Sequence, residues 1–569
     1  MRRLEQNGSL RFLADERYAT ACLAAAMAVA VPLILWINRG TTFWIDDLAL
    51  FLESPGLDLE GALRPHFGHL VLVPRVVSRV FLEVFGTDYL PFRLLGASTV
   101  VLTVGLLYTY LKRRVSAWVA LAPCLVLLVF GSDFLHVIAG NAFGVLLPVS
   151  CGLGALLALE RGGWRWDALA CGLLCLAIAS YTVSLAFLAA ALVQIGLSEN
   201  RWRRAWVVAI PIILYAIWFM WATGTTTSPG GQTDTRDVVL IGSWGYQSLS
   251  AVLGALSGFD YSFPGSSDPA RAGPALAVLA LIGAWFRLRR GSIPSTMWAA
   301  LAALAGFWAL GSLGASSSRP PESARYLYPG AVLVLAVAGH FLQEVRWSKA
   351  MLAGLYVVAA CGIAANAAQL YYEGTVLRVH AAQVKAGFSG LEVAGENAQA
   401  SFIPPPIPDD AGVLADSQSP LAFPFISIGL TEEKPTPAYR EAATLYGDLG
   451  YTPEELSQQS DELRNQADSI LVAALGLELT AAEPGAPHGR CRAVAGDGQV
   501  SFSLPRGGGL LESDAGGAVE IRRFSSELDV EVGELAAGQP TILRVPPDDV
   551  ANPWTVTAPG TAVRVCALR

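Results

Sequence analysis

Two adjacent carboxylates, Asp46 and Asp47, stand in the stretch RGTTFWIDDLALF, Arg39 to Phe51, among Phe43, Trp44, Ile45, Leu48 and Leu50. The stretch follows directly on an apolar run from Ala19 to Ile37. Acids are costly beside hydrocarbon, and an ionisable group at the edge of a membrane span is by default a functional one. A carboxylate partly desolvated there can have its pKa raised into the range of a general base. Two neighbouring acids allow a division of labour, one taking a proton and the other orienting an acceptor or holding a cation. The plainer alternative is a pair of solvated loop acids.

Candidate cations follow. RPHFGHLVLVPRVVSRVF, Arg64 to Phe81, interleaves Arg64, His66, His69, Arg75 and Arg79 with apolar residues. At helical spacing Leu70, Val73, Val77 and Val80 share a face, which predicts a helix lying in the membrane interface. His66 and His69 could pack there, contact a substrate, or bind a metal with Asp46. In SSSRPPESARYLYPG, Arg319, Glu322 and Arg325 stand just before another apolar run, with Tyr326 and Tyr328 at its edge. The guanidinium fork suits a phosphate, binding its oxygens in pairs; Arg325 could equally anchor a span to lipid. Asp133 and His136 in GSDFLH, and Tyr181 with Ser184 in SYTVS, are further candidates for a substrate cavity. Trp218 and Trp221 read as aromatic-belt residues.

The elements that must position these residues are apolar helices. The chain has 569 residues, 53% hydrophobic and 15% charged, and its mean hydropathy is +0.45. Its repeated apolar runs are long enough to cross about 30 Å of hydrocarbon, so it reads as a polytopic membrane protein. Expected spans are 19–37, 89–111, 115–135, 138–159, 166–180, 182–198, 205–223, 273–287, 294–313, 326–343 and 350–370. Basic clusters at Lys112-Arg113-Arg114, Arg161 with Arg165, Arg201 with Arg203-Arg204, Arg287 with Arg289-Arg290, and Arg346 with Lys349 fall in alternate loops. The positive-inside rule then puts the N-terminus in the cytoplasm and the C-terminus outside, with eleven spans. The run 240–258 is expected to be an interfacial or re-entrant helix. The acidic pair opens an external loop, 38–88, whose length of about fifty residues argues for function. Met1 to Arg17 carries Arg2, Arg3, Arg11 and Arg17, with no clear cleavage site after the first span, so that span is read as retained.

From Glu373 onward there are 27 acids and 13 bases; the rest of the chain has 20 acids and 26 bases. The tail reads as a separate acidic region outside the membrane, and its sign argues against nucleic acid as a partner. The expected organisation is a membrane domain, 1–372; a linker and helical region, 373–488, with a Pro-rich hinge at 401–410 and a helix from Thr452 to about Asp468; and a β-sandwich, 489–569. The last is read from QVSFSL, AVEIRRF, LDVEVGEL, PTILRVP, WTVTA and AVRVCAL, short alternating runs separated by turns. Six cysteines lie in apolar runs, whereas Cys491 and Cys566 bracket the strand-rich tail. A disulfide between these two is expected in an oxidising compartment.

A first span, then an external loop opening on an acidic pair in an aromatic-apolar setting, then interfacial helices, resembles the GT-C superfamily of integral membrane glycosyltransferases. FWIDDLALF is similar to that family's DD or DE motif, and RYLYP to a segment of bacterial members. The resemblance covers roughly 19–372 as architecture and about a dozen residues as sequence. A β-sandwich tail similar to a carbohydrate-binding module recurs in actinobacterial arabinosyltransferases of this class, and the Ala-, Gly- and Leu-rich composition fits such a source. The resemblance implies a polyprenyl-phosphate-linked sugar as donor, a cell-envelope glycan, lipid or protein as acceptor, a plasma-membrane location and Asp46 as the base, with Asp47 in reserve. No second strong acidic motif appears in later external loops, where some members have one; Asp234, Asp237, Asp260 and Asp268 are loose candidates. Need for a divalent cation is left open. Two other classes compete. A transporter or flippase of lipid-linked sugars would show internal repeats and midplane charges, and a non-catalytic scaffold would only bind envelope polysaccharide.

Overall fold

The structure, a computed structural model, describes residues 16–43, 46–140, 142–225, 235–259, 272–290, 293–313, 320–400, 402, 435–483, 488–548 and 550–568. Among these the helices are α1 (Glu16–Ile37), α2 (Asp46–Glu53), α3 (Leu59–Leu63), α4 (Leu72–Phe85), α5 (Leu90–Leu111), α6 (Ala117–Leu127), α7 (Phe134–Ile138), α8 (Ala142–Arg161), α9 (Trp164–Ile178) and α10 (Ser184–Gly196). They continue with α11 (Arg201–Arg204), α12 (Trp206–Thr225), α13 (Thr235–Ser257), α14 (Ala272–Arg290), α15 (Ser295–Leu313), α16 (Ala324–Phe341), α17 (Lys349–Ala394), α18 (Pro435–Tyr446), α19 (Pro453–Ser457) and α20 (Asp461–Leu475). The chain divides into two compact units. The first comprises the described residues of 1–39, 57–81 and 89–377; the second, those of 40–56, 82–88 and 378–569. Nothing in the sequence signals that 40–56 and 82–88 group with the tail.

Among the described residues seven helices are long and apolar enough to cross a membrane, or eight if the bent pair Ala117–Leu127 and Gly131–Ile138 is one span. The expected count of about eleven is not reached by this measure. Each expected run does coincide with a helix, but α9 and α10 have only 15 and 13 residues, short of the roughly 20 of a full span. The 48° bend of the pair has a packing cause. A Cβ on Gly131 would lie 2.1 Å from the Asn366 carbonyl oxygen, so glycine lets α17 approach, and Ser132 N–H and Oγ–H then donate to Asn366 Oδ1 at 3.0 and 2.9 Å. The run 240–258 is the greater part of one continuous helix of 23 residues, α13. It interlocks with α15: Gly245 faces Trp308, and Gly311 faces Trp244, with no room for a Cβ at either. Among the basic residues, Arg114 pairs with Glu160 and donates from Nε to His340 Nε2 at 2.8 Å, and Arg204 holds Asp167 at 2.6 Å.

The amphipathic segment differs from expectation. The helix begins at Leu72, not Arg64. Its buried row is Pro74, Arg75, Ser78 and Leu82, with Val71 just before it, while Val76, Val80, Val84 and Phe85 are exposed. The polar side faces the protein and the valine side faces outward, as suits a helix whose outer surroundings are apolar. Arg75 is spent on the carbonyl of Arg64, the residue that closes α3, and Arg79 Nη1 donates to the Leu57 carbonyl at 2.9 Å.

In the second unit the polar half of α17 carries α18 to α20 and the strands. With 46 residues, α17 is about 69 Å long at 1.5 Å per residue, more than twice the hydrocarbon thickness. The expected helix from Thr452 has its capping box with Glu455, yet it ends at Ser457 and a new helix starts at Asp461. The restart has a use. Asp461 accepts the backbone N–H of Ser526, Glu527 and Leu528 at 2.6, 3.1 and 3.2 Å. Two turns later Asp468 accepts those of Arg523, Phe524 and Ser525, the nearest oxygen at 3.0 Å in each case. The strands form two antiparallel sheets, in the orders β1-β7-β4-β9-β2 and β3-β8-β5-β6. Their ranges are β1 Leu479–Ala481, β2 His488–Ala495, β3 Gln499–Ser503, β4 Gly508–Ser513, β5 Gly517–Arg522, β6 Val530–Leu535, β7 Thr541–Arg544, β8 Thr555–Pro559 and β9 Ala562–Leu568. Cys491 on β2 stands opposite Cys566 on β9 and the two form a disulfide. From residue 489 on, the aromatic side chains are Phe502, Phe524 and Trp554, and each is buried. Among the described residues from 489 on, no Phe, Tyr or Trp ring is exposed for a sugar to stack on.

Candidate functional site

Asp46 and Asp47 form the first turn of α2, in the second unit. Asp47 is buried at 8% exposure, whereas Asp46 is only half-buried. An eight-residue helix does not hold itself together in water; α2 is held by packing. Phe51 is fully buried, with ring centroids 5.6 Å from Phe43, 6.2 Å from Tyr439 and 6.1 Å from Tyr446. Tyr439 stacks on Phe388 of α17 at 4.6 Å.

Behind these rings lies a cluster that sequence reasoning missed. Glu392 Oε1 accepts the Tyr439 hydroxyl, and the N–H groups of Leu449 at 3.0 Å and Gly450 at 2.9 Å. Glu392 lies in the polar half of α17, beyond its apolar stretch. Burial pushes its carboxyl up to about 7; Asp448 adds to this, while Tyr439, Gly450 and Leu449 oppose it as donors. Gly450 is required by close approach, since a Cβ there would lie 2.5 Å from Glu392 Oε2. A glutamate in an otherwise ordinary helix gives no sequence signal of this kind.

In the first unit His66 and His69 exchange both backbone hydrogen bonds, each 2.9 Å. The two residues between them have positive φ, 47° at Phe67 and 81° at Gly68, which is a type I′ turn. Phe67 is the one non-glycine with positive φ among the described residues, and its ring is 49% exposed. The turn is fastened on both sides. His69 Nδ1 lies 2.5 Å from Thr182 Oγ1, its ring is 4.4 Å from that of Tyr181, and Val73 N–H donates to the Ala179 carbonyl at 3.0 Å. Trp218 Nε1 donates to the Leu63 carbonyl at 2.8 Å. Two of the singled-out segments, around His69 and Tyr181, thus meet. Thr182 had not been singled out, and Trp218, read as a belt residue, has a structural bond.

Asp133 and His136 form a buried clasp. Asp133 is fully buried and caps α7, accepting His136 N–H at 3.3 Å and pairing with His136 Nδ1 at 2.8 Å. It also accepts the Tyr328 N–H at 2.7 Å. The two sequence segments GSDFLH and RYLYP are therefore tied by one carboxylate. Tyr326 is half-buried, edge-on to Trp244 at 5.2 Å, and Arg325 is exposed in the first turn of α16. Arg319 lies outside the described residues, as do Asp234, Asp260 and Asp268. Among the described residues no three His, Cys, Asp or Glu side chains converge as a metal site.

No family model and no curated protein matches the sequence. Among solved structures, the chain is similar to ArnT from Cupriavidus metallidurans bound to undecaprenyl phosphate, with 16% identity, a TM-score of 0.42, and 75% of this chain and 88% of that chain covered. It is also similar to the same protein in the apo state, at 14% identity and a TM-score of 0.44, covering 77% and 91%.

Proposed function

We propose that the chain is a membrane glycosyltransferase of the GT-C kind, moving a sugar from a polyprenyl-phosphate-linked donor to an envelope acceptor on the outer face of a bacterial plasma membrane. The observation that carries the reading is the placement of Asp46 and Asp47. They open a short helix that follows a membrane-length helix in the chain, one half-buried and one buried, and an acid next to a span in sequence is by default functional. Transfer to a hydroxyl needs a base that takes the acceptor proton as oxygen attacks the anomeric carbon, and the bond to the lipid phosphate breaks. Asp46, the more accessible acid, is assigned as base, and Asp47 as the group that orients it. The leaving phosphate needs positive charge. By sequence, Arg64, His66, His69, Arg319 and Arg325 are the candidates for it, and Tyr181 and Tyr326 the candidates for contact with the sugar. Asp133 and His136 are assigned to holding the Tyr326–Tyr328 segment rather than to contact with substrate.

The test is incubation of nanodisc-embedded protein with a panel of radiolabelled polyprenyl-phosphate sugars and an envelope extract as acceptor. Label appearing in a product no longer extractable as donor, with free polyprenyl phosphate released, supports transfer. Donor that crosses a liposome membrane unchanged would instead identify a transporter. Protein that binds extract polysaccharide but leaves every donor intact would identify a scaffold.

A further inference from the structure

The loop that carries the acidic pair is anchored at both of its ends to α18. On the leading side, Phe51 of α2 packs on Tyr439 and Tyr446. On the trailing side, Gly86 has φ 58° and a Cβ there would lie 2.7 Å from the Tyr446 carbonyl oxygen, while a Cβ on Gly447 would lie 3.2 Å from Thr87 Oγ1. Gly86 thus marks a close backbone approach between 82–88 and the end of α18, and Gly447 marks where the Thr87 side chain comes against the chain. Tyr439 is the centre of this contact. Its ring lies between Phe51 and Phe388, and its hydroxyl is bound by Glu392, which also holds Leu449 and Gly450. Phe51, Tyr439 and Phe388 are each at most 1% exposed. A side chain fixed both by packing and by a hydrogen bond to a second group has little freedom, and that is the condition for holding a catalytic group in place.

We propose that Tyr439, clamped by Glu392, is a positioning residue for the acidic pair: α18 sets the place of α2 through Phe51, so the C-terminal region is part of the catalytic apparatus. The inference rests on the glycosyltransferase reading for its kinetic consequence, but its geometric content stands apart from it. Asp46 and Asp47 sit at the first turn of α2, and Phe51 lies one turn further along the same short helix. A shift of that helix moves both carboxylates together. Misplacement by about 1 Å costs on the order of a hundredfold in rate.

Two measurements test this. Transfer kinetics are compared for wild type, Tyr439→Phe and Tyr439→Leu in nanodiscs. Phenylalanine keeps the ring and loses only the clamp; leucine loses both. The expected order is a fall of about three- to tenfold in kcat for Tyr439→Phe and of about a hundredfold for Tyr439→Leu, with KM for the donor within about twofold. Equal kcat in all three overturns the proposal, as does a loss carried wholly by KM. The second measurement needs no activity. Asp46→Cys and Asp47→Cys are labelled with a maleimide, site by site by mass spectrometry, in backgrounds with Tyr439 and with Tyr439→Phe, which keeps the core filled. With Tyr439, the cysteine at 47 is protected and that at 46 labels; in the Phe background the contrast between 46 and 47 shrinks at least threefold. An unchanged contrast overturns the proposal even if no transfer is found, whereas a changed contrast without transfer overturns the glycosyltransferase reading alone.

Discussion

Asp46 and Asp47 are neighbours in one helical turn, yet Asp47 is buried at 8% exposure while Asp46 is half open. Successive residues on a helix point about 100° apart, so one acid turns inward and the other outward. This asymmetry separates their expected mutant behaviour. Asp46→Asn should leave the thermal melt unchanged, because a half-exposed acid loses little when made neutral. Asp47→Asn should lower it, with a loss of about 1–3 kcal/mol in stability, because the altered carboxylate is buried. Equal melts for the two variants would show that burial does not distinguish them.

The Asp133 clasp predicts a stability effect larger than its size. Asp133→Ala strands the N–H groups of His136 and Tyr328 and removes the partner of the His136 ring. Each stranded group costs about 1–3 kcal/mol. A strong loss of melting temperature is expected, with Asp133→Asn less affected because it still offers a carbonyl oxygen. A variant with alanine that melts like wild type would refute the clasp.

Phe67 occupies a position where the backbone favours another residue. Type I′ turns take Asn-Gly, and Phe at φ 47° is strained. Phe67→Asn should therefore stabilise the protein by up to about 1 kcal/mol, read as a higher melting temperature. A lower melting temperature would mean that the exposed ring is itself a stabilising contact.

Much of the frame was legible in the sequence, for identifiable reasons. Apolar runs of span length stand out by composition alone, so helices such as α5 and α15 fall where expected. Six of the strands were readable because one face is buried and the other is not, as in β3, where Val500 and Phe502 alternate with exposed residues. The remaining strands lacked that contrast. β4 is buried almost throughout and starts with glycines, and β2 mixes basic residues with alanines around a register shift. The start of α4 was not legible: the apolar spacing from Leu70 on suits a helix, but nothing in it shows that 64–71 forms a turn and that Arg75 and Ser78 are buried while Val76, Val80 and Val84 are exposed. The pairing of α2 with α18 was not legible at all. Phe51 and Tyr439 are nearly four hundred residues apart, and one sequence offers no signal for such a contact.

Glu392 gives a pH prediction. Its carboxyl is raised to about 7 from an ordinary 4.5, mainly by burial. Between those values the folded protein binds a proton that the unfolded chain does not, so stability falls as pH rises from about 4.5 to about 7 and levels off above. Infrared difference spectra against Glu392→Gln should show a protonated carboxyl band that disappears with a midpoint near 7. A band already absent at pH 5.5 would contradict the burial argument.

The Cys491–Cys566 bond joins the edge strand β2 to β9 across 75 residues. Replacing both cysteines by alanine should cost about 2–4 kcal/mol, and peptide mapping without reductant should recover the linked pair. Two free thiols in protein taken from the envelope would refute the bond in that compartment.

The most direct measurement is the single-turnover rate of sugar transfer from a polyprenyl-phosphate donor by wild type, Asp46→Asn and Asp47→Asn in nanodiscs, with donor affinity measured separately. Loss of a general base lowers the rate by about 10²–10⁴-fold. The account predicts that loss for Asp46→Asn with donor affinity kept, and a lesser loss for Asp47→Asn. Wild-type rates in both variants would contradict it, because the acidic pair would then not be where the chemistry happens.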